Sequence, residues 1–228
     1  MFWALEMIKA VLFDLDNTLV DFMLMKKRCS EAAIRAMVDA GLQMSEEKAL
    51  KLLFEMYKEH GIEDQRIFEK FLEKTIGSVD YRILASGIAA YRRVKTGHLA
   101  PYPHVRATLI ELKEKGLLLG IVSDAPRMQA WLRLAEMSLT EFFDVVVALE
   151  DTGRKKPSKM PFKQAIKRLK LKPEEILFVG DNPGRDIKGA KGMGMLTALA
   201  AYGQLFKGKA KADFVLRDIK DLIKIVKA

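Results

Sequence analysis

Cysteine is almost absent from this chain of 228 residues: Cys29 stands alone. A single thiol excludes an internal disulfide framework and fits a reducing cytoplasm. No apolar run approaches the roughly 18 residues that a membrane span requires. The opening MFWALEMIKA lacks a basic start and a small-residue cleavage site, so no signal peptide is read there. Met7 could equally be the natural start, with residues 1–6 an extension, because the patterned sequence begins at Ile8. Internal repeats and low-complexity segments are also missing. So is any aromatic-interleaved basic stripe, which sets nucleic acid low among partners despite a formal charge of +9.

What is present suits a globular protein with a substantial core: 50% apolar and 30% charged residues. The positive excess comes from 39 basic against 30 acidic residues, clustered at KKR (26–28), RKK (154–156) and KGKAK (207–211). Elsewhere Glu and Asp are interleaved, as on the solvated Lys/Glu surfaces of heat-adapted proteins. A secondary use of the charge is steering a small anion into a cleft.

Short, nearly continuous apolar runs predict buried strands at 8–14, 117–124, 143–150, 176–181 and 195–200, with a weaker one at 213–216. Helical stretches lie between them at 104–115, 126–137, 160–170 and 184–192, with 218–227 closing the chain. Gly116 reads as a helix stop, and Pro126 and Pro161 as first-turn residues. This alternation predicts an α/β fold, a doubly wound parallel (Rossmann-like) sheet. From Asp21 to Gly97 the pattern is purely helical, with a start at Ser45 and stops at Gly41 and Gly61. The expected organisation is a core of residues 1–20 and 98–228 with an all-helical domain, 21–97, inserted after the first strand. TGHLAPYP (96–103) is the expected return linker.

The strand ends carry the chemistry. The first strand closes in VLFDLDNTLVD, which places Asp14 and Asp16 two residues apart. An extended backbone points both to one side. Two carboxylates this close repel, so either a cation lies between them or one holds a proton. The second strand ends at Ser123 and Asp124, the third runs into EDTGRKKP with Lys156, and the fourth ends at Asp181 in GDNPGRD, with Asp186 beyond. Parallel strands bring such tips to one edge. A hard divalent ion needs only a few oxygens, which Asp14, Asp181 and a nearby backbone carbonyl would supply. Ser123 offers a hydroxyl, the turn at Asp124 and Ala125 offers backbone N–H groups, and Lys156 offers a point charge, a set suited to phosphate. Taken singly these residues are ordinary. Lys156 could be a surface lysine, Ser123 a helix cap, and Asp186 the cap of DIKGAKGMG.

The ordered set DLDNT, IVSD, KKP and GDNPGRD resembles the four motifs of the haloacid dehalogenase (HAD) superfamily, and the likeness spans residues 8 to about 200. The helical insert resembles the cap found in one subclass. The whole chain also looks similar to the archaeal glyceraldehyde 3-phosphate phosphatases of this superfamily. The resemblance implies Asp14 as nucleophile and Asp16 as general acid and base. It implies Mg²⁺ held by the Asp14 and Asp181 carboxylates and the Asp16 backbone carbonyl. Ser123, Asp124 and Lys156 would bind the phosphoryl group. Thr18 would position the nucleophile loop, while Asn182 and Asp186 would support the site, Asp186 by orienting Lys156 or a metal-bound water. Asp16 would carry a raised pKa, from burial and from Asp14. The acid at position 16 argues for phosphoryl transfer, since the dehalogenase members lack it. The implied partner is a small phosphorylated metabolite, met by residues such as Phe22, Lys26, Arg92 and His98. A sugar-phosphate mutase is the alternative, and a phosphoacceptor signalling domain a more distant one. Nothing in the sequence specifies oligomeric state.

Overall fold

The computed structural model describes residues 8–226, so Met7 as an alternative start and the extension 1–6 lie outside the described residues. The chain forms two compact units, one running to Asp21 and from Ala100 onward, the other Phe22–Leu99.

The first unit is built on six strands: β1 (Ala10–Phe13), β2 (Leu118–Val122), β3 (Val145–Val147), β4 (Ile176–Gly180), β5 (Leu196–Ala200) and β6 (Phe214–Leu216). All pair in parallel, in the order β3-β2-β1-β4-β5-β6. β1 and β4 are buried along their whole length, as their unbroken apolar runs require in a sheet covered on both faces. β6 is short and lies at the edge, where Val215 is exposed.

The second unit is helical: α1 (Phe22–Asp39), α2 (Glu46–His60), α3 (Ile67–Ile76) and α4 (Tyr81–His98). Ser45 caps α2 by accepting from the Lys48 N–H, and Gly61 ends it. Asp80 caps α4 by accepting from the Arg82 and Ile83 N–H groups. Met37, Met56, Phe71, Leu72 and Ile83 fill the centre of this unit, so the methionines and phenylalanines of the insert serve as core. Lys26 is buried too, with Nζ 4.4 Å and 5.3 Å from the ring centres of Tyr57 and Tyr91. The KKR cluster is therefore not one surface patch.

α5 (Val105–Glu114), α6 (Arg127–Glu136), α7 (Lys159–Leu169), α8 (Lys188–Lys191) and α9 (Leu222–Ile225) complete the first unit. Phe162 of α7 meets Phe178 of β4 edge to face, ring centres 5.2 Å apart, and both are fully buried. Full burial of such a side chain contributes about 1.5–3 kcal/mol, enough for this pair to anchor α7 to the sheet.

Two expectations need correction. Residues 96–98, expected in the return linker, close α4, because no proline interrupts the helix before Pro101. The helix expected over 184–192 divides into a π turn, Pro183–Ile187, and the short α8. The wider turn carries Asp186 inward, and such turns are frequent at functional sites.

Candidate active site

β1 lies between β2 and β4, so the segments leaving these three strands emerge side by side. The order in which strands are added reverses between β1 and β4, which is where doubly wound folds leave a crevice beyond the strand ends. Asp14 continues β1, its N–H donating to Val179 O of β4 at 2.8 Å. Beyond it the chain turns tightly. Leu15 N–H donates to Asp14 Oδ1 at 2.8 Å, and Asn17, in the left-handed region at φ 60°, donates its N–H to Val20 O at 2.7 Å. Asparagine is one of the few residues that tolerate that conformation.

The turn is braced from behind. Tyr202 donates its hydroxyl to Thr18 O at 2.8 Å, and the next residue, Gly203, lies so close that a Cβ would fall 1.7 Å from Asn17 O. Thr18 is itself buried, and its Oγ1 makes no hydrogen bond among the described residues. Gly203→Ala is therefore expected to push the turn off Asp14 and to destabilise the fold by about 1–3 kcal/mol, the usual cost of overpacking. A thermal melt equal to wild type would show that this contact does not hold the turn.

Lys156 reaches the same point from the loop after β3. Its Nζ, fully buried, donates to Val122 O at 2.8 Å and ion-pairs with Asp14 Oδ1 at 2.7 Å and Asp186 Oδ1 at 2.8 Å. The backbone N–H of Lys156 donates to Asp124 Oδ1 at 2.8 Å, tying this loop to the end of β2. Ser123 Oγ accepts from Ala125 N–H at 3.1 Å, so that N–H is already engaged within the turn.

Asp181 follows β4. Asp186 returns beside it because residue 180 is glycine: a Cβ there would lie 2.6 Å from the Asp186 Cβ. Asp186 does not cap the turn. Asn182 does, its Oδ1 accepting from the Gly184 and Arg185 N–H groups at 3.0 and 3.1 Å, while Asp186 Oδ2 accepts from Asn182 N–H at 3.0 Å. Asp186 is held inward because it is a partner of Lys156.

Two arginines complete the arrangement, and neither was singled out in the sequence. Arg185 donates from Nη2 to Asp14 Oδ2 at 2.9 Å and lies 3.5–3.6 Å from carboxylate oxygens of Asp124, Asp181 and Asp186. It stands inside GDNPGRD, between two acids, and that position was the available signal. Arg133 of α6, almost fully buried, donates to Asp16 Oδ2 at 3.1 Å. Its signal was a charge within the apolar stripe Ala130, Leu134, Met137. The repulsion expected between Asp14 and Asp16 is thus met by giving each carboxylate its own cation.

Burial alone would raise the Asp14 carboxyl, but Lys156 and Arg185 outweigh it and hold Asp14 below the usual range. Burial opposes the charge on Lys156 as well, and Asp14 and Asp186 overcome it. Asp181 is pushed up to about 8 by burial, then by Asp14 and Asp186. Asp186 is raised chiefly by burial, with Asp14 adding to it. Asp14, Asp181 and Asp186 each present a carboxylate oxygen within 4.8 Å of the others. Asp181 Oδ1 is buried and accepts no hydrogen bond among the described residues. A buried orphan oxygen among clustered carboxylates is the donor set that a hard divalent cation takes up. The Asp16 carboxylate is turned to Arg133 and is not one of this cluster of three.

The raised Asp181 gives a pH prediction. In excess chelator the native state keeps a proton that the unfolded chain releases near 3.8. That contribution is complete below the unfolded value and is lost as pH rises through about 8. The melting temperature should therefore fall from about pH 4 to pH 8 and level off above it, and Asp181→Asn should flatten the slope. A wild-type profile level across that range would contradict the assignment. Asp14, shifted the other way, acts only at the acid end.

The chain is similar to several known proteins. Residues 11–200 match the haloacid dehalogenase-like hydrolase family. A glyceraldehyde 3-phosphate phosphatase of Methanocaldococcus jannaschii is 36% identical over 97% of this chain and 98% of its own. Among solved structures, a HAD phosphatase from Thermococcus onnurineus superposes with a TM-score of 0.68 at 27% identity, covering 96% of this chain and 97% of its own. A putative beta-phosphoglucomutase from Thermotoga maritima shares the fold, with a TM-score of 0.75 at 22% identity over 96% of this chain and 100% of its own. With that span of sequence matched from β1 to β5, the chain belongs to the haloacid dehalogenase-like hydrolase family.

Proposed function

We propose that this chain is a Mg²⁺-dependent phosphatase of small phosphorylated metabolites, glyceraldehyde 3-phosphate first among them, working through a phosphoryl group carried on Asp14. The observation that carries this reading is the bracketing of Asp14 between Lys156 at 2.7 Å and Arg185 at 2.9 Å, beside Asp181 and Asp186. An anionic nucleophile approaching a dianionic ester needs positive charge fixed beforehand, and the wholly buried Lys156 fixes it here. The helical unit Phe22–Leu99 is taken as the cap. The lone, buried Cys29 suits a reducing cytoplasm.

The Asp14 and Asp181 carboxylates and the Asp16 carbonyl would hold the ion, and their all-oxygen chemistry suits Mg²⁺. When bound, it supplies Lewis-acid stabilisation of charge on the phosphoryl oxygens. The remaining work falls to the chain. An Asp14 carboxylate oxygen attacks phosphorus, the ester P–O bond breaks, and protonated Asp16 delivers its proton to the departing alkoxide. Ionised Asp16 then takes a proton from water as its oxygen attacks the aspartyl-phosphate. The bond from phosphorus to Asp14 breaks, and inorganic phosphate leaves. Arg133 holds the Asp16 carboxylate in one orientation and stabilises its ionised form for the second step. Ser123 and Lys156 bind the phosphoryl group, and Asp186 keeps Lys156 in register.

The test is phosphate release from a panel of triose and sugar phosphates, with Mg²⁺ and in excess chelator. Turnover should fall at least about a hundredfold without the ion. Undiminished turnover in chelator would overturn the reading. Transfer to a bound sugar phosphate without release would mark a mutase, and a long-lived phosphoprotein a signalling acceptor.

A further inference from the structure

We propose that Arg185 is a placeholder cation: it and a divalent ion compete for the same oxygens of Asp14 and Asp181, so that ion binding expels the guanidinium from the acid cluster. The inference rests on the metal site of the function proposed above.

The first argument is spatial. Asp14 Oδ1 is already occupied by Lys156 Nζ at 2.7 Å and Leu15 N–H at 2.8 Å, which leaves Oδ2 for an ion. Arg185 Nη2 sits 2.9 Å from that Oδ2 and 3.6 Å from Asp181 Oδ1, the buried oxygen with no hydrogen-bond donor among the described residues. A hard ion bonded to both oxygens at about 2.0–2.1 Å needs the space that Nη2 fills. Both cannot be there.

The second argument is the quality of the seat. A guanidinium carries its donors in a rigid fork that rewards planar, bidentate partners. Here Nε is buried and makes no hydrogen bond among the described residues, lying 3.5 and 3.6 Å from Asp124 Oδ2 and Asp186 Oδ1. Arg185 is attracted by charge more than it is fitted by shape. Lys156, by contrast, meets three oxygens within 2.8 Å.

The third argument is access. The Arg185 side chain is 32% exposed, whereas that of Lys156 is 0% exposed. One cation has a route to solvent and the other is locked in. Formal charge points the same way: in the ionised form that an ion requires, the carboxylates of Asp14, Asp124, Asp181 and Asp186 are met by two cations among the described residues, Lys156 and Arg185. Exchanging a monocation for a dication moves this cluster towards neutrality. Arg185 then sets the ion affinity, since every binding event must displace it.

The experiment is calorimetric titration of the full chain with Mg²⁺ and Mn²⁺, comparing wild type with Arg185→Gln. It is paired with thermal melts in chelator and in saturating Mg²⁺, and with a Mg²⁺-soaked wild-type crystal. The variant should bind the ions about tenfold tighter, the scale of a typical coupling between competing ligands. It should melt below wild type in chelator and close that gap in Mg²⁺. In the crystal the guanidinium should leave hydrogen-bond reach of Asp14 Oδ2. Unchanged or weaker affinity, absence of ion binding in either protein, or a guanidinium still seated beside a bound ion each overturns the proposal. No substrate enters these measurements, so exchange without phosphate release would sink the phosphatase reading alone. Phosphate release without exchange would sink only this one.

Discussion

Asp14→Asn is expected to cut phosphate release by more than about a thousandfold, because an amide oxygen cannot form the covalent intermediate. The substitution is nearly isosteric, so the turn should persist: the amide oxygen can still accept from Leu15 N–H and from Lys156 Nζ, now at 2.8 and 2.7 Å from Oδ1. What is lost is the nucleophile and one negative charge between Lys156 and Arg185. Initial rates with saturating Mg²⁺ and the best substrate of the panel measure the effect. The folded fraction is checked by far-UV circular dichroism. A variant that keeps more than about a tenth of wild-type turnover would remove Asp14 from the chemistry.

Lys156→Met should be the most damaging single change to stability. The ammonium is wholly buried and is shared by Asp14, Asp186 and the Val122 carbonyl. Methionine matches its length but leaves two buried carboxylates facing each other with Arg185 as the remaining local cation. Breaking a buried pair by removing one partner costs about 3–5 kcal/mol. Part of that loss should return on acidification, because protonated carboxyls no longer repel. Lys156→Arg is not a rescue, since a planar guanidinium cannot occupy a seat shaped for one point charge. Urea denaturation at neutral and mildly acidic pH tests both statements. A loss under about 1 kcal/mol, or one indifferent to pH, would mean that Lys156 is not the electrostatic keystone drawn here.

Much of the architecture could be read along the chain because its signals are local. Strands such as Ile176–Gly180 are continuous apolar runs, and a strand covered on both faces has no other economical composition. Ser45 before Glu46, and Gly61 after His60, mark helix ends by backbone chemistry that needs no distant partner. The extent of α4 was less legible, because Gly97 reads as a helix stop while the folded helix continues through it to His98. The π turn at Pro183–Ile187 was invisible: nothing local distinguishes it from an ordinary helix start.

In the site, the sequence marked Asp14, Ser123, Lys156, Asp181 and Asp186 as polar groups at strand ends, since parallel strands must deliver their tips to one edge. It could not say which charge would answer which. Only the folded chain decided that Lys156 lies between Asp14 and Asp186, that Arg185 covers the other oxygen of Asp14, and that Arg133 takes Asp16. The same holds for Gly203, an unremarkable glycine until the loop after β5 is laid against Asn17. Composition and periodicity report how a residue meets its neighbours in sequence. Coulombic pairing and close packing fall off within a few ångströms in space, so they take their values only after the fold has set those distances.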